Sequence, residues 1–147
     1  MANCKPIHTP MVVPCKLSMN DCPSTSREEE FMATLPYRQI LGSIRYLVSC
    51  TRPDLSFCAG FLSRFIHNPG VAHWQALKHV LRYLQYTNDM GITYHNFQIQ
   101  NSSHRNGYLQ APLCGLSDSD WGGDIDTSWS TSGMAFLFAG WSNFLEN

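Results

Sequence analysis

The residues best suited to chemistry form one short run, Ser117-Asp118-Ser119-Asp120-Trp121-Gly122-Gly123-Asp124. Side chains alternate along a strand, so on a strand Asp118 and Asp120 share a face. Two carboxylates on one face repel each other unless a cation or a hydrogen-bond network holds them. The run therefore has two readings: ligands for a divalent metal, or turn and cap residues beside glycines. A Mg²⁺ or Mn²⁺ centre draws several carboxylates from different elements. No second acidic cluster follows in the sequence.

A second constellation is cationic. Lys78 and Arg82 are four apart with His79 alongside, so on a helix they share one face. Arg64 is a candidate neighbour, and Arg38 and Arg45, seven apart, share a face of an earlier helix. Such cations neutralise phosphates; the alternative is an ordinary solvated helix face. His67, His73 and His79 recur every six residues, a spacing that scatters them around a helix and argues against a shared metal. There is no Gly-rich phosphate loop and no G-x-S-x-G nucleophile elbow.

Composition sets limits on these readings. The chain has 147 residues, 44% hydrophobic and 14% charged, with a formal net charge of -1. Disorder along the whole chain is excluded by that apolar content. Charge is unevenly placed: residues 36–110 hold seven Lys and Arg against two Asp, and residues 111–147 hold five acids and no base. That asymmetry suggests two regions with different jobs. The six cysteines form no C-x-x-C pair, so free thiols are expected rather than a zinc ribbon or a redox motif. No basic segment followed by an apolar one opens the chain, so no signal peptide is expected. Thr127–Leu145 is uncharged, but its continuous apolar part, 133–141, is too short for a spanning helix.

The elements that must carry these residues follow from periodicity. Pro6, Pro10, Pro14 and Pro23 make residues 1–30 extended or irregular. Glu28-Glu29-Glu30 either opens a short helix or is a solvated charge run. Tyr37, Ile40, Leu41, Ile44, Leu47 and Val48 trace one face of a helix over 36–50. Thr51-Arg52-Pro53-Asp54 then resets the chain as a capping-box variant, opening a second helix to about Ile66. A third helix covers 71–86, with Trp74, Leu77, Leu81 and Leu84 as its apolar stripe. Ile92–Tyr94 reads as a short strand and 96–111 as a loop. Leu113–Trp121 and Ser132–Gly140 read as two strands joined near Gly122-Gly123-Asp124. The expected architecture is α+β. An extended arm (1–35) leads to a three-helix region (36–95), a loop (96–112) and a small antiparallel sheet (113–147).

In order along the chain, these segments resemble the Pol polyproteins of copia-type LTR retrotransposons. Asn3-Cys4-Lys5-Pro6 with Thr9-Pro10-Met11 resembles the family's "NCKP..TPM" arm. Tyr37–Leu47 resembles "YR..vGSL.YL", Thr51–Leu55 "TRPD(I/L)", and Leu62–Phe65 with Asn68-Pro69 "LSRF..NP". His73–Leu84 resembles "HW.A.KrvLRYL", Gly91–Tyr94 "GL.Y", Gly115–Asp124 "GysDaDWaGD" and Ser130–Gly133 "STSG". The resemblance implies the thumb and connection region of a reverse transcriptase, followed by the first strands of a truncated RNase H-like domain. It implies an RNA–DNA hybrid or template–primer and the rest of the polyprotein as partners, with no membrane. It places the chain inside the cell, in a cytoplasmic particle or the nucleus. Asp118 would be the first metal carboxylate, with Asp120 a further candidate, and Mg²⁺ or Mn²⁺ the ions. Lys78, Arg82, Arg64, Arg38 and Arg45 would face nucleic acid.

The departures matter as much. No Y-x-D-D polymerase motif occurs, and the family's "SSTEAE" segment and last Asp have no counterpart. Asp126-Thr127-Ser128-Trp129 replaces the basic pair before "STSG". One carboxylate cannot hold two metal ions, so the expectation is a Pol fragment that is inactive alone. The alternatives are a small nucleic-acid-binding module using the basic helix face, or a metal nuclease completed by another chain.

Overall fold

Thr25 decides the fate of the acidic run at Glu28. Its backbone is extended, and its side chain accepts the Glu28 N–H, while the Glu28 carboxylate accepts the Ser24 N–H at 3.1 Å. The first bond satisfies a donor that the helix start leaves orphaned, and the second ties the residue before the cap to the first turn. They also hold the Glu28 carboxyl below its ordinary range, the Ser24 N–H contributing most. The open choice thus closes on a helix, α1 (Ser26–Ala33). The computed structural model describes residues 4–12, 16–91 and 113–138, which lie in two units, Met1–Gly91 and Ile92–Asn147. The α+β class holds: four helices and a two-stranded antiparallel sheet. The strand expected at 92–94 and the loop at 96–111 lie outside the described residues.

In the first unit, α2 (Tyr37–Cys50) and α4 (Val71–Tyr86) form where the periodicity places them. The helix expected from Thr51 to Ile66 is divided. A 3-10 turn (Pro53–Leu55) leads into α3 (Ser56–Ser63), and three i→i−3 backbone bonds carry the chain on to Ile66. The capping box expected at Thr51 does not form. Thr51 ends α2, and Arg52 stands at the start of the turn without a side-chain cap bond; Asp54 is drawn to Arg52 instead.

The core gathers Tyr37, Leu41 and Ile44 of α2, Leu55, Cys58, Ala59 and Leu62 around α3, and Leu77, Val80 and Tyr83 of α4. Met11 of the N-terminal arm joins it. The inner line of α4 is thus His73, Leu77, Val80 and Tyr83, with Trp74, Leu81 and Leu84 half-buried on its flanks. The expected stripe is rotated by about one residue because a polar residue, His73, is fully buried. Its Nδ1 accepts the Gly70 N–H at 2.9 Å and its ring stacks on Phe65 at 4.0 Å, so burial does not strand that nitrogen. Gly70 itself is required by a close approach: a Cβ there would lie 1.8 Å from the Asp21 carbonyl oxygen.

In the second unit, β1 (Leu113–Ser119) pairs with β2 (Ser132–Phe138), with Asp118 opposite Gly133 and Ser119 opposite Ser132. β1 ends two residues before the expected Trp121, and β2 is described as far as Phe138, where the described residues end. Among the described residues, no helix is long and apolar enough to cross a membrane.

Candidate nucleic-acid interface and the acidic loop

The five candidate cations lie on three elements and do different work. Arg38, in the first turn of α2, donates from Nε and Nη2 to the carbonyls of Ile66 and His67 at 3.0 and 3.3 Å. It thereby ties down the end of the α3 turn, alongside Tyr37, whose hydroxyl donates to the Leu62 carbonyl at 2.9 Å. Burial pushes the Tyr37 hydroxyl far above its ordinary range, so it stays a donor. Arg38 also lines a cleft of about 420 Å³ shared with Glu29 and His67, where an acid weakens its pull on anions. Arg64 lays its guanidinium over the rings of Phe61 and Phe65, at 5.2 and 5.5 Å, a cation–π arrangement that leaves its charge exposed. Arg45 is exposed on the outer side of α2.

Lys78 and Arg82 share the outer side of α4. Lys78 is exposed, with its ammonium 6.0 Å from the Trp74 ring centroid. Arg82 donates from Nε and Nη2 to the carbonyl of Lys5, at 3.0 and 2.9 Å. His79 Nε2 lies 3.0 Å from the Thr9 carbonyl. A carbonyl can only accept, so that nitrogen carries the proton. The helix face picked out by spacing therefore also holds the N-terminal arm, a partnership across 70 and 77 residues that no local pattern announces.

Sequence reasoning missed a fifth arginine. Arg52 is buried, and its guanidinium meets Asp54 bidentately, Nε to Oδ1 at 2.9 Å and Nη2 to Oδ2 at 2.8 Å. Nη1 and Nη2 donate to the Thr87 carbonyl and hydroxyl at 3.0 and 2.8 Å. Tyr83 donates its hydroxyl to Asp54 at 3.0 Å, and Arg52 sits 5.5 Å from the Tyr83 ring centroid. Desolvation opposes the Asp54 charge, but the Arg52 guanidinium and the Tyr83 hydroxyl outweigh it and hold the carboxyl below its ordinary range. Burial, then the Asp54 carboxylate, pushes the Tyr83 hydroxyl up. The network locks the turn between α2 and α3 to the end of α4. The signal was present: an Arg and an Asp flanking a proline at a helix break.

In the acidic loop the carboxylates separate by role. Asp118 is exposed on β1, and its Oδ1 accepts the Ser119 N–H at 2.9 Å. Asp120 lies just past the strand. Its N–H donates to the Thr131 carbonyl at 3.1 Å, and its Oδ1 accepts the Thr131 N–H. Asp124 accepts from the Asp126 N–H at 3.0 Å and from the Thr127 hydroxyl, while its own N–H donates to the Trp129 carbonyl at 3.1 Å. Two residues with positive φ, Gly122 at 59° and Ser128 at 57°, let the loop turn. A Cβ on Gly123 would lie 2.0 Å from Asp120 Oδ2. Asp120 and Asp124 thus both serve as loop ties. Among the described residues no three His, Cys, Asp or Glu side chains gather into a metal-holding group. These residues by themselves do not fit a two-ion centre.

Over 140 residues, 95% of this chain, it is 39% identical to the retrovirus-related Pol polyprotein from transposon TNT 1-94 of Nicotiana tabacum. Over 133 residues, 90% of this chain, it is 39% identical to the Pol polyprotein from transposon RE2 of Arabidopsis thaliana. The chain belongs to the family of copia-type retrotransposon Pol polyproteins. It spans only 10% and 8% of those two polyproteins. It also matches a Plasmopara viticola protein named secreted RxLR effector protein 161, at 44% identity over 109 residues, 74% of this chain and 69% of that one. No protein-family model and no solved structure matches. Within the Pol family, the TRPD-like and LRYL-like stretches of this chain are the ones that supply Arg52, Asp54, Arg82 and Tyr83.

Proposed function

We propose that the first unit is a nucleic-acid-contacting part of a retrotransposon reverse transcriptase, and that the second begins an RNase H-like domain. The observation that carries this reading is the outer side of α4. The helix has 16 residues, contains Lys78 and Arg82, and has no Asp or Glu. A cationic helix side with no acid on it suits phosphates. Arg64 and Arg45 add exposed positive charge from neighbouring elements. The partner is an RNA–DNA hybrid or template–primer presented by the rest of the polyprotein. Asp118 contributes one carboxylate toward a shared Mg²⁺ or Mn²⁺ site whose other ligands come from outside the described residues.

The test is binding of a short fluorescein-labelled RNA–DNA hybrid, followed by anisotropy across a salt series. The full chain binds with an affinity that falls steeply as salt rises. Replacing Lys78→Ala and Arg82→Ala together lowers the slope of log K against log salt by about two. An unchanged slope would remove α4 from the interface.

A further inference from the structure

The N-terminal arm lies along α4 and is fixed there at four points. Lys5 gives its carbonyl to Arg82, Thr9 gives its carbonyl to His79, and the His8 ring meets Tyr86 edge-on at 4.4 Å. Met11 enters the core. Neither residues 4–12 nor residues 71–86 contain an acid. Asp21, at the Gly70 end of α4, has its carboxylate engaged by the Ser18 N–H at 2.8 Å. A backbone carbonyl takes two donors of Arg82 but none of its charge. Nη1 makes no hydrogen bond among the described residues, and that edge of the planar guanidinium stays available for a second acceptor. The docked arm also brings Lys5, whose side chain is exposed, beside Arg82 in the C-terminal half of α4.

We propose that the arm and α4 form one composite phosphate-binding surface, in which Lys5 of the arm joins Arg82 and Lys78. Arg82 has two roles in it: it holds the Lys5 backbone and presents charge of its own. His8 and His79 fasten the arm. A rival arrangement, in which the arm plugs the face and must leave before nucleic acid binds, predicts the opposite sign for loosening or weakening the arm. The geometry favours addition, because docking adds a cation and brings no acid. This inference rests on the binding reading above and extends it to a residue outside the helix.

The test uses the full chain, the same labelled RNA–DNA hybrid and the same salt series, with Lys5→Ala and Lys78→Ala made separately. Lys5→Ala keeps the carbonyl that Arg82 holds and alters only an exposed side chain, so the thermal midpoint stays that of the parent. Each variant is expected to lower the salt slope by about one, the value for losing one phosphate contact. If Lys78→Ala lowers the slope but Lys5→Ala leaves it unchanged, or tightens binding, the composite surface is overturned and the helix reading stands. If Lys5→Ala acts and Lys78→Ala does not, the arm binds without the helix and the composite surface is overturned. If neither acts, both readings fall. A further variant, Arg82→Lys, keeps the charge but loses the forked grip on Lys5; in that background the effect of Lys5→Ala shrinks. An undiminished effect would show that Arg82 does not position the arm.

Discussion

Arg52→Ala is the most informative perturbation of the first unit. The side chains of Arg52 and Asp54 are 7% and 14% exposed, so the pair is largely but not wholly withdrawn from water. Removing the guanidinium deletes both bonds to Asp54 and both bonds to Thr87. It leaves a carboxylate partly buried with the Tyr83 hydroxyl and the Asp54 backbone N–H to compensate. Breaking one side of a buried pair costs about 3–5 kcal/mol; residual water access at Asp54 places this case at the lower end, about 3 kcal/mol. For a unit of this size each kcal/mol moves the thermal midpoint by roughly 4–8 °C, so the midpoint falls by about 12–24 °C. The assay is far-UV circular dichroism of the full chain, because all four described helices lie in the first unit.

Arg52→Lys recovers only part of the loss, since an ammonium cannot reach Asp54 bidentately and Thr87 at once. The sign with pH follows from Asp54. Its carboxyl is held below the ordinary range in the folded chain, so the stabilisation is present above the unfolded-state value. It is lost as pH falls through the folded-state value. The parent therefore loses stability toward acid more steeply than Arg52→Ala does. A midpoint shift below about 2 °C, or parallel acid titrations of the two proteins, would refute the reasoning.

Two further outcomes test separate parts of the first unit. Gly70→Ala places a Cβ against the Asp21 carbonyl, a backbone atom that cannot swing aside. Destabilisation of about 1–3 kcal/mol is expected in urea unfolding; a neutral result would mean that the Met19–Asp21 turn does not pack on Gly70. Cys58 is buried and burial pushes its thiol up to about 11, whereas Cys50 is exposed. Iodoacetamide labelling followed by peptide mass spectrometry at pH 8 should therefore modify Cys50 promptly and Cys58 only on unfolding. Equal labelling rates would place Cys58 outside the core.

What could be read from the sequence was whatever depends on near neighbours. The periods of α2 and α4 run over 14 and 16 residues, long enough for one face to stand out, and two strand-like runs either side of Gly122-Gly123-Asp124 point to the antiparallel pair. Errors arose where a residue's partner lay far along the chain. With His73 left out as polar, the apolar pattern places the α4 stripe on Trp74, Leu77, Leu81 and Leu84, of which Leu77 alone lies on the inner line. The Gly70 N–H and the Phe65 ring make His73 an inner residue instead. Asp54 counted as a cap because it stands three residues after Thr51; the guanidinium of Arg52 and the hydroxyl of Tyr83 offer more than a turn N–H can. The run at Asp118 left metal and turn readings side by side. Spacing could not show that the Asp120 and Asp124 side chains would close the loop on Thr131 and Thr127. The same logic applies to the basic side of α4. Its charge could be counted from spacing, but its join to the arm is made by backbone carbonyls of Lys5 and Thr9, groups that every residue carries and no pattern marks. Cationic helix faces read from sequence therefore need a further question: which backbone acceptors already occupy their donors, and which charges those acceptors bring along.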